Sequence, residues 1–361
     1  MSADGGQAPG SEHQPVSADG GQAPGREHQP TGAADDAIQA LARLALASYG
    51  LDEDASVQLC NVSENHTFRI RDRGGAEYAL RVHRPGYRTV DEIRSELRWL
   101  DALAADGAVL TPAAVPALDG ERVVAVKTPE LGTRNVVLFE WAPGVAPDLD
   151  SGEAATGQFR TLGAISARMH LHARRWRHPS GFVRPRWDFE HSIGPRGHWG
   201  RWQDGLGIDR EALALLERLV AVIEARLRAF GQGERRFGLV HADMRLANLL
   251  IDGEQVRVID FDDCGFSWFM YDFATTVSFM EDHPRVPELQ RAWVDGYRSV
   301  AQLDAEDEQE LDTFVMLRRL LLVAWIGSHH TFATEAAELG AGFADGTCAL
   351  AERYLSTHRI P

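Results

Sequence analysis

Gly238-Leu-Val-His-Ala-Asp-Met-Arg-Leu-Ala-Asn-Leu-Leu-Ile251, followed by Val256-Arg-Val-Ile-Asp-Phe-Asp-Asp263, is the stretch that decides the fold. It sets His241, Asp243 and Asn248 in the order H-x-D-x-x-x-x-N. Two apolar runs, residues 249–251 and 256–259, flank Asp252-Gly253, a pair suited to a tight turn between strands. Such a hairpin brings together Asn248, just before its first strand, and Asp260, just after its second. A plain buried loop could also hold Asp and Asn as turn caps. One acidic residue alone would favour that reading; three at this spacing, with the strands in place, argue against it.

The pattern resembles the catalytic and metal-binding loops of the kinase superfamily. Protein kinases usually carry Arg before the catalytic Asp and Gly after the metal Asp, whereas Ala242 and Phe261 stand here. The form H-[GA]-D-x-x-x-x-N…[IV]-D-[FLW]-[DE]-D is similar instead to the family of aminoglycoside phosphotransferases, choline kinases and type II homoserine kinases. Ala242 and Ala247 replace Gly residues common in that family, and Arg245 stands where His is frequent.

The resemblance implies an α+β, bilobal, protein-kinase-like fold. It has a small antiparallel sheet with one main helix, and a larger, mostly helical lobe. It further implies Mg²⁺ and either ATP or GTP as phosphate donor. Phosphoryl transfer depends on positioning and on neutralising phosphate charge, and Mg²⁺ prefers hard oxygen ligands. Asn248 and Asp260 are then the expected metal ligands. Asp243 is expected to accept a hydrogen bond from the acceptor hydroxyl. Asp262 could reach the metal only indirectly, and Asp272 is expected to brace the catalytic loop.

The first half of the chain carries the same resemblance, near the bacterial stress-response kinases. It rests on Tyr78-Ala-Leu-Arg-Val-His-Arg-Pro85, on Glu96 within Arg94-Ser-Glu-Leu-Arg98, and on Ser63-Glu-Asn65. In kinases a strand lysine binds the α/β phosphates and pairs with a helix glutamate. Arg81 sits where that lysine belongs, with Glu96 as its acid. Arginine keeps the charge but changes the geometry to a planar fork. Lys127, the chain's single lysine among 37 basic residues, lies in a more kinase-like Val124-Ala-Val-Lys127. No helix with a partner glutamate follows it, so it reads as a solvated strand end. Ser63, Asn65 and nearby backbone N–H groups are the expected phosphate cover. The base is expected against the backbone of the linker from Glu140 to Ala142. Asp188 and Glu190, in Arg186-Trp-Asp-Phe-Glu-His191, could face a polar or cationic acceptor, or belong to a packed aromatic connection.

Around these motifs, residues 2–15 recur at 17–30 with one change, a polar, Gly- and Pro-rich tandem copy expected to be disordered. The expected organisation is a tail over 1–35, a small nucleotide-binding lobe over 36–139 and a catalytic lobe over 140–361. Helices are expected at 37–48, 90–105, 153–175, 210–230, 271–281, 287–301, 306–328 and 335–355, the first capped by Asp36.

A formal charge of −16 opposes nucleic acid or an anionic membrane as the main partner. It would suit a cationic acceptor, though solubility alone explains such charge. Cys60, Cys264 and Cys348 lack metal-ligand spacing and read as free thiols. With no signal peptide and no apolar stretch long enough to span a bilayer, a cytoplasmic protein is expected. The leading expectation is a kinase of a small hydroxyl compound: an amino alcohol, an amino sugar or a nucleoside antibiotic, with resistance as one use. The alternatives are a stress-response-type Ser/Thr protein kinase and a nucleotide-binding pseudokinase scaffold, the latter motivated by the missing lysine.

Overall fold

In a computed structural model, residues 32–147 and 152–360 are described; most of the expected tail lies outside them. Helix α1 (Ala33–Leu46) begins ahead of Asp36, with Gly32 at its N-cap position. Then come β1 (Ser56–Val62), β2 (His66–Arg71) and β3 (Glu77–Val82), α2 (Val90–Ala105), β4 (Ala114–Val115), β5 (Val124–Thr128) and β6 (Gly132–Glu140). The strands form an antiparallel sheet in the order β1-β2-β3-β6-β4, with β5 also paired to β6.

The alternation of side chains across a strand builds the two sides of this lobe. Val136 and Leu138 of β6, with Leu80 and Val82 of β3, pack with Ile38, Leu41 and Leu46 of α1. Val137 and Phe139 belong to the other core, with Ile93, Leu97 and Leu100 of α2. Arg81 lies between Leu80 and Val82, so it points to the α2 side, where Glu96 waits. Helix α2 starts at a reciprocal capping box between Thr89 and Glu92, which fixes where its first turn begins.

The second lobe contains α3 (Glu153–Arg175), α4 (Phe189–Ser192), α5 (Arg210–Phe230), α6 (Tyr271–Thr276), α7 (Val286–Arg298), α8 (Ala305–Gln309), α9 (Leu311–His329), α10 (Thr334–Leu339) and α11 (Gly342–Thr357). Between α5 and α6 run two antiparallel pairs, β7 (Phe237–Val240) with β10 (Gly265–Trp268), and β8 (Leu249–Asp252) with β9 (Gln255–Val258). Helices α3 and α7 touch backbone to backbone. A Cβ on Gly163 would lie 1.9 Å from the Trp293 carbonyl oxygen, and one on Gly296 would lie 1.8 Å from that of Arg160.

Three expected helices come out shorter or divided. The one from Tyr271 ends at Thr276. The one over 306–328 divides into α8 and α9 at Glu310, and the last divides at Gly340, which takes a φ of 52°. The architecture is the expected bilobal one. No helix among the described residues is long and apolar enough to cross a membrane.

Candidate active site

The β8–β9 hairpin does what its turn chemistry requires: Leu249 pairs with Val258, and the Ile259 N–H donates to the Asn248 carbonyl at 2.9 Å. Asn248 and Asp260 therefore meet at one end of the hairpin. The Asn248 amide nitrogen donates to the Asp243 carbonyl oxygen at 2.9 Å and to Asp243 Oδ2 at 2.8 Å. With the nitrogen engaged there, the side-chain oxygen remains as the acceptor end of the amide.

Two residues of this centre hold backbone conformations that L-residues rarely adopt, Ala242 at φ 68° and Asp260 at φ 61°. What fixes the first is Asp272. Its two carboxylate oxygens accept the N–H of Ala242 at 2.8 Å and of His241 at 3.2 Å, and His170 Nε2 lies 3.0 Å away. Thr275 Oγ1 accepts the Met244 N–H at 2.8 Å. The catalytic loop is thus hung from the start of α6, the bracing expected of Asp272.

Above the hairpin, Arg81 Nη1 donates to Glu96 Oε1 at 2.7 Å, while Nη2 lies 3.3 Å from Asp260 Oδ1. The fork spans two acids at once. Lys127 is exposed on the β5–β6 hairpin and takes no part.

The acids of the Asp260–Asp263 turn are held in different states. Burial pushes Asp260 up to about 7 against the opposing pull of Arg81, with Asp262 and Asp243 adding to the rise. Its side chain keeps 41% of its surface open, so cleft water tempers that push. Burial would raise Asp262 too, but Arg81, His83, Arg88 and Arg184 outweigh it and hold it down to about 2. Burial pushes Asp263 up to about 6 although Arg88 Nη2 donates to it at 2.6 Å.

Within the loop over residues 61–66, the Asn65 side chain is engaged by protein groups on both its amide atoms. Asn65 Nδ2 donates to Asp262 Oδ2 at 2.8 Å, and Asn65 Oδ1 accepts the Arg84 N–H at 3.1 Å. Its side chain therefore ties this loop to the Asp260–Asp263 turn. The Ser63 N–H closes a tight turn onto the Asn65 carbonyl. Glu64 reaches the other lobe, accepting from Trp325 Nε1 at 2.8 Å with His329 Nε2 at 3.3 Å.

At the linker, the Glu140 N–H donates to the Ala113 carbonyl and the Trp141 N–H to the Glu77 carbonyl. The sheet thus anchors the backbone leading to Ala142. Asp188 caps α4: its Oδ1 accepts the His191 N–H at 3.1 Å and its Oδ2 accepts Arg186 Nε at 2.8 Å. Both oxygens are engaged within the segment, as the packed-connection reading requires. Glu190 pairs with Arg196 at 3.2 Å on the surface.

Several groups at the centre gave no motif signal. Arg318 of α9 donates to Asp243 Oδ1 at 2.7 Å. Arg184 donates to the backbone carbonyls of Cys264 and Asp262, and Arg88 Nε to that of Asp262. The one available signal for Arg318 was a charged pair, Arg318-Arg319, inside an otherwise apolar run. A cavity of about 470 Å³ opens elsewhere, on the outer side of α2 beside Arg94 and Arg98, and contains none of these groups.

An amide oxygen and a carboxylate suit a hard cation that keeps water and phosphate oxygens as its other ligands. Among the described residues no cluster of three or more His, Cys, Asp or Glu could cage a metal by itself. The Asn248 amide oxygen and the Asp260 carboxylate fit such a cation.

Comparison with known proteins agrees with this geometry. The model of the phosphotransferase enzyme family matches residues 56–309. The amicoumacin kinase of Bacillus subtilis (strain 168) is 27% identical over 319 residues, spanning 84% of this chain and 90% of that one. The structure of a microcompartment-associated aminopropanol kinase superposes with a TM-score of 0.81 at 47% identity, covering 89% of this chain and 99% of that one. An amicoumacin kinase in complex with AMP-PNP, Ca²⁺ and Ami shares the fold, with a TM-score of 0.71 at 21% identity over 86% and 93% of the two chains. The chain belongs to the phosphotransferase enzyme family and is a kinase of small molecules.

Proposed function

We propose that the chain transfers the γ-phosphoryl group of ATP, with Mg²⁺, to the hydroxyl of a short amino alcohol in the cytoplasm. The observation that carries this reading is the convergence of Asp243, Asn248 and Asp260 at the end of one hairpin, beneath the Arg81–Glu96 pair. The 47% identity to an aminopropanol kinase supports an amino alcohol as the acceptor. An antibiotic acceptor is the second reading, favoured by the amicoumacin kinase relative that spans 84% of the chain.

In this account Asn248 Oδ1 and Asp260 hold the Mg²⁺, which neutralises phosphate charge when bound. Arg81 keeps Glu96 through Nη1 and turns Nη2 from Asp260 toward the nucleotide phosphates. Ser63 and the backbone of its turn lie over those phosphates, while the Asn65 side chain stays with Asp262. The base rests on the Glu140 carbonyl and the Ala142 N–H. Asp243 accepts the hydrogen bond of the acceptor hydroxyl and aims its oxygen for in-line attack. An ammonium group on the acceptor suits the net negative charge of the chain.

Asp243→Asn tests the reading. The expected result is a loss of kcat of about 10²- to 10⁴-fold with nucleotide Kd and Tm nearly unchanged. A parallel loss of kcat, nucleotide affinity and Tm would show that Asp243 only holds its loop together.

A further inference from the structure

Arg318 stands in a helix, α9, whose residues are almost all buried and apolar, and its side chain is only 3% exposed. A guanidinium there is costly unless its donors are satisfied and its charge is balanced. Each nitrogen has a partner. Nε donates to Ser278 Oγ at 3.1 Å, Nη1 reaches the Tyr271 hydroxyl at 3.5 Å, and Nη2 donates to Asp243 Oδ1 at 2.7 Å. The Trp199 ring lies 5.4 Å from the guanidinium carbon. Of these partners only Asp243 is a carboxylate.

Asp243 is therefore gripped at both oxygens. Arg318 holds Oδ1 and Asn248 holds Oδ2. The two grips come from parts of the chain 75 and 5 residues away, so neither alone sets the carboxylate plane. A carboxylate oxygen has two acceptor positions. With one position on each oxygen filled, the acceptor hydroxyl must use a remaining one, which restricts its direction of approach.

We propose that Arg318 is the positioning residue of Asp243, fixing the carboxylate orientation that the acceptor hydroxyl meets. The proposal rests on Asp243 receiving that hydroxyl. It needs the planar fork and not only the positive charge, because one rigid group must hold Ser278 and Asp243 together. An ammonium group is a point donor on a flexible stem and cannot span both. The competing view is that Arg318 merely neutralises a buried acid and stabilises the lobe.

The test uses Arg318→Lys and Arg318→Met, each in the natural chain and with Asp243→Asn, measuring kcat, acceptor KM, nucleotide Kd and Tm. Misplacement of a reacting group by about 1 Å costs about 10²-fold in rate. Arg318→Met should therefore lower kcat about 10²-fold and Arg318→Lys about 10-fold, with nucleotide Kd unchanged within about twofold. In the Asp243→Asn chain neither change should lower kcat much further, since residues acting as one unit are not additive. Near-natural kcat in Arg318→Lys would overturn the fork geometry, and this variant decides the matter if Arg318→Met fails to fold. Equal, additive losses in both backgrounds, with falling Tm and affinity, would assign Arg318 to stability alone. A natural kcat in Asp243→Asn by itself would instead remove the reading on which the proposal stands.

Discussion

Replacing Arg81 by Lys restores the residue type common in kinases, yet the geometry here predicts a loss. The fork reaches Glu96 at 2.7 Å and Asp260 at 3.3 Å with different nitrogens, and Asp262 lies 3.8 Å from Nη1. The Glu96 side chain is 1% exposed, so it cannot turn to water for a partner. A lysine ammonium can hold Glu96 or meet the phosphates well, but not with the present spacing of both. Losing one charge-assisted hydrogen bond costs about 1.5–3 kcal/mol. If the ammonium stays on Glu96, that loss falls on the nucleotide, and its Kd should rise by about 10-fold or more. If it moves to the phosphates, the loss falls on the fold, and Tm should drop by roughly 2–4 °C. Calorimetric titration with a non-hydrolysable ATP analogue and a thermal melt on the same preparation measure both. Unchanged Kd and Tm, or tighter binding, would refute the idea that the fork divides its work between two sites.

Other consequences follow from the same centre. Asp272→Ala strips the acceptor from two buried N–H groups and from His170, and should cost about 3–5 kcal/mol, read as a fall in Tm on the order of 10 °C. Burial pushes the Asp260 carboxyl up toward about 7, tempered by Arg81 and cleft water, so over the interval above the ordinary carboxylate range the folded, metal-free protein holds a proton more firmly than the unfolded chain does. The stability from this group is full below the unfolded value and is lost as pH rises toward 7. Metal must displace the same proton, so Mg²⁺ affinity in the presence of an ATP analogue should weaken by up to about 10-fold per pH unit below 7. A pH-independent affinity between pH 5.5 and 8 would contradict this. Removing residues 1–31 should leave kcat and Tm unchanged, the outcome expected of their polar, Gly- and Pro-rich sequence; the cut stops there because α1 begins at Ala33.

What was legible in the sequence was local. The H-x-D-x-x-x-x-N order, the Asp-Gly turn and the apolar pairs around it specify a hairpin and the meeting of Asn248 with Asp260. Strand alternation around Arg81, and helical spacing around Glu96, place those two side chains on facing surfaces. Helix interruptions were harder to read: Gly340 breaks a run whose apolar spacing continues across it, and Glu310 divides an acidic opening turn from the apolar helix that follows. Least legible were the long-range arginines. Arg318 is 75 residues from Asp243, and Arg184 is 78 from Asp262; nothing in spacing links them. Arg318 carries one sequence signature, a charge where the surrounding apolar pattern demands burial; Arg184, in an irregular stretch beside Pro185, carries none. Asn65 shows the opposite limit: its motif was recognised, yet the pairing with Asp262 depends on how the two lobes close.

The most direct measurement follows labelled γ-phosphate from ATP, with Mg²⁺, into aminopropanol and into lysate protein in parallel. The account predicts a labelled small phosphate ester that requires both metal and acceptor and disappears in Asp243→Asn. Label found in protein, or released only as inorganic phosphate, would contradict it.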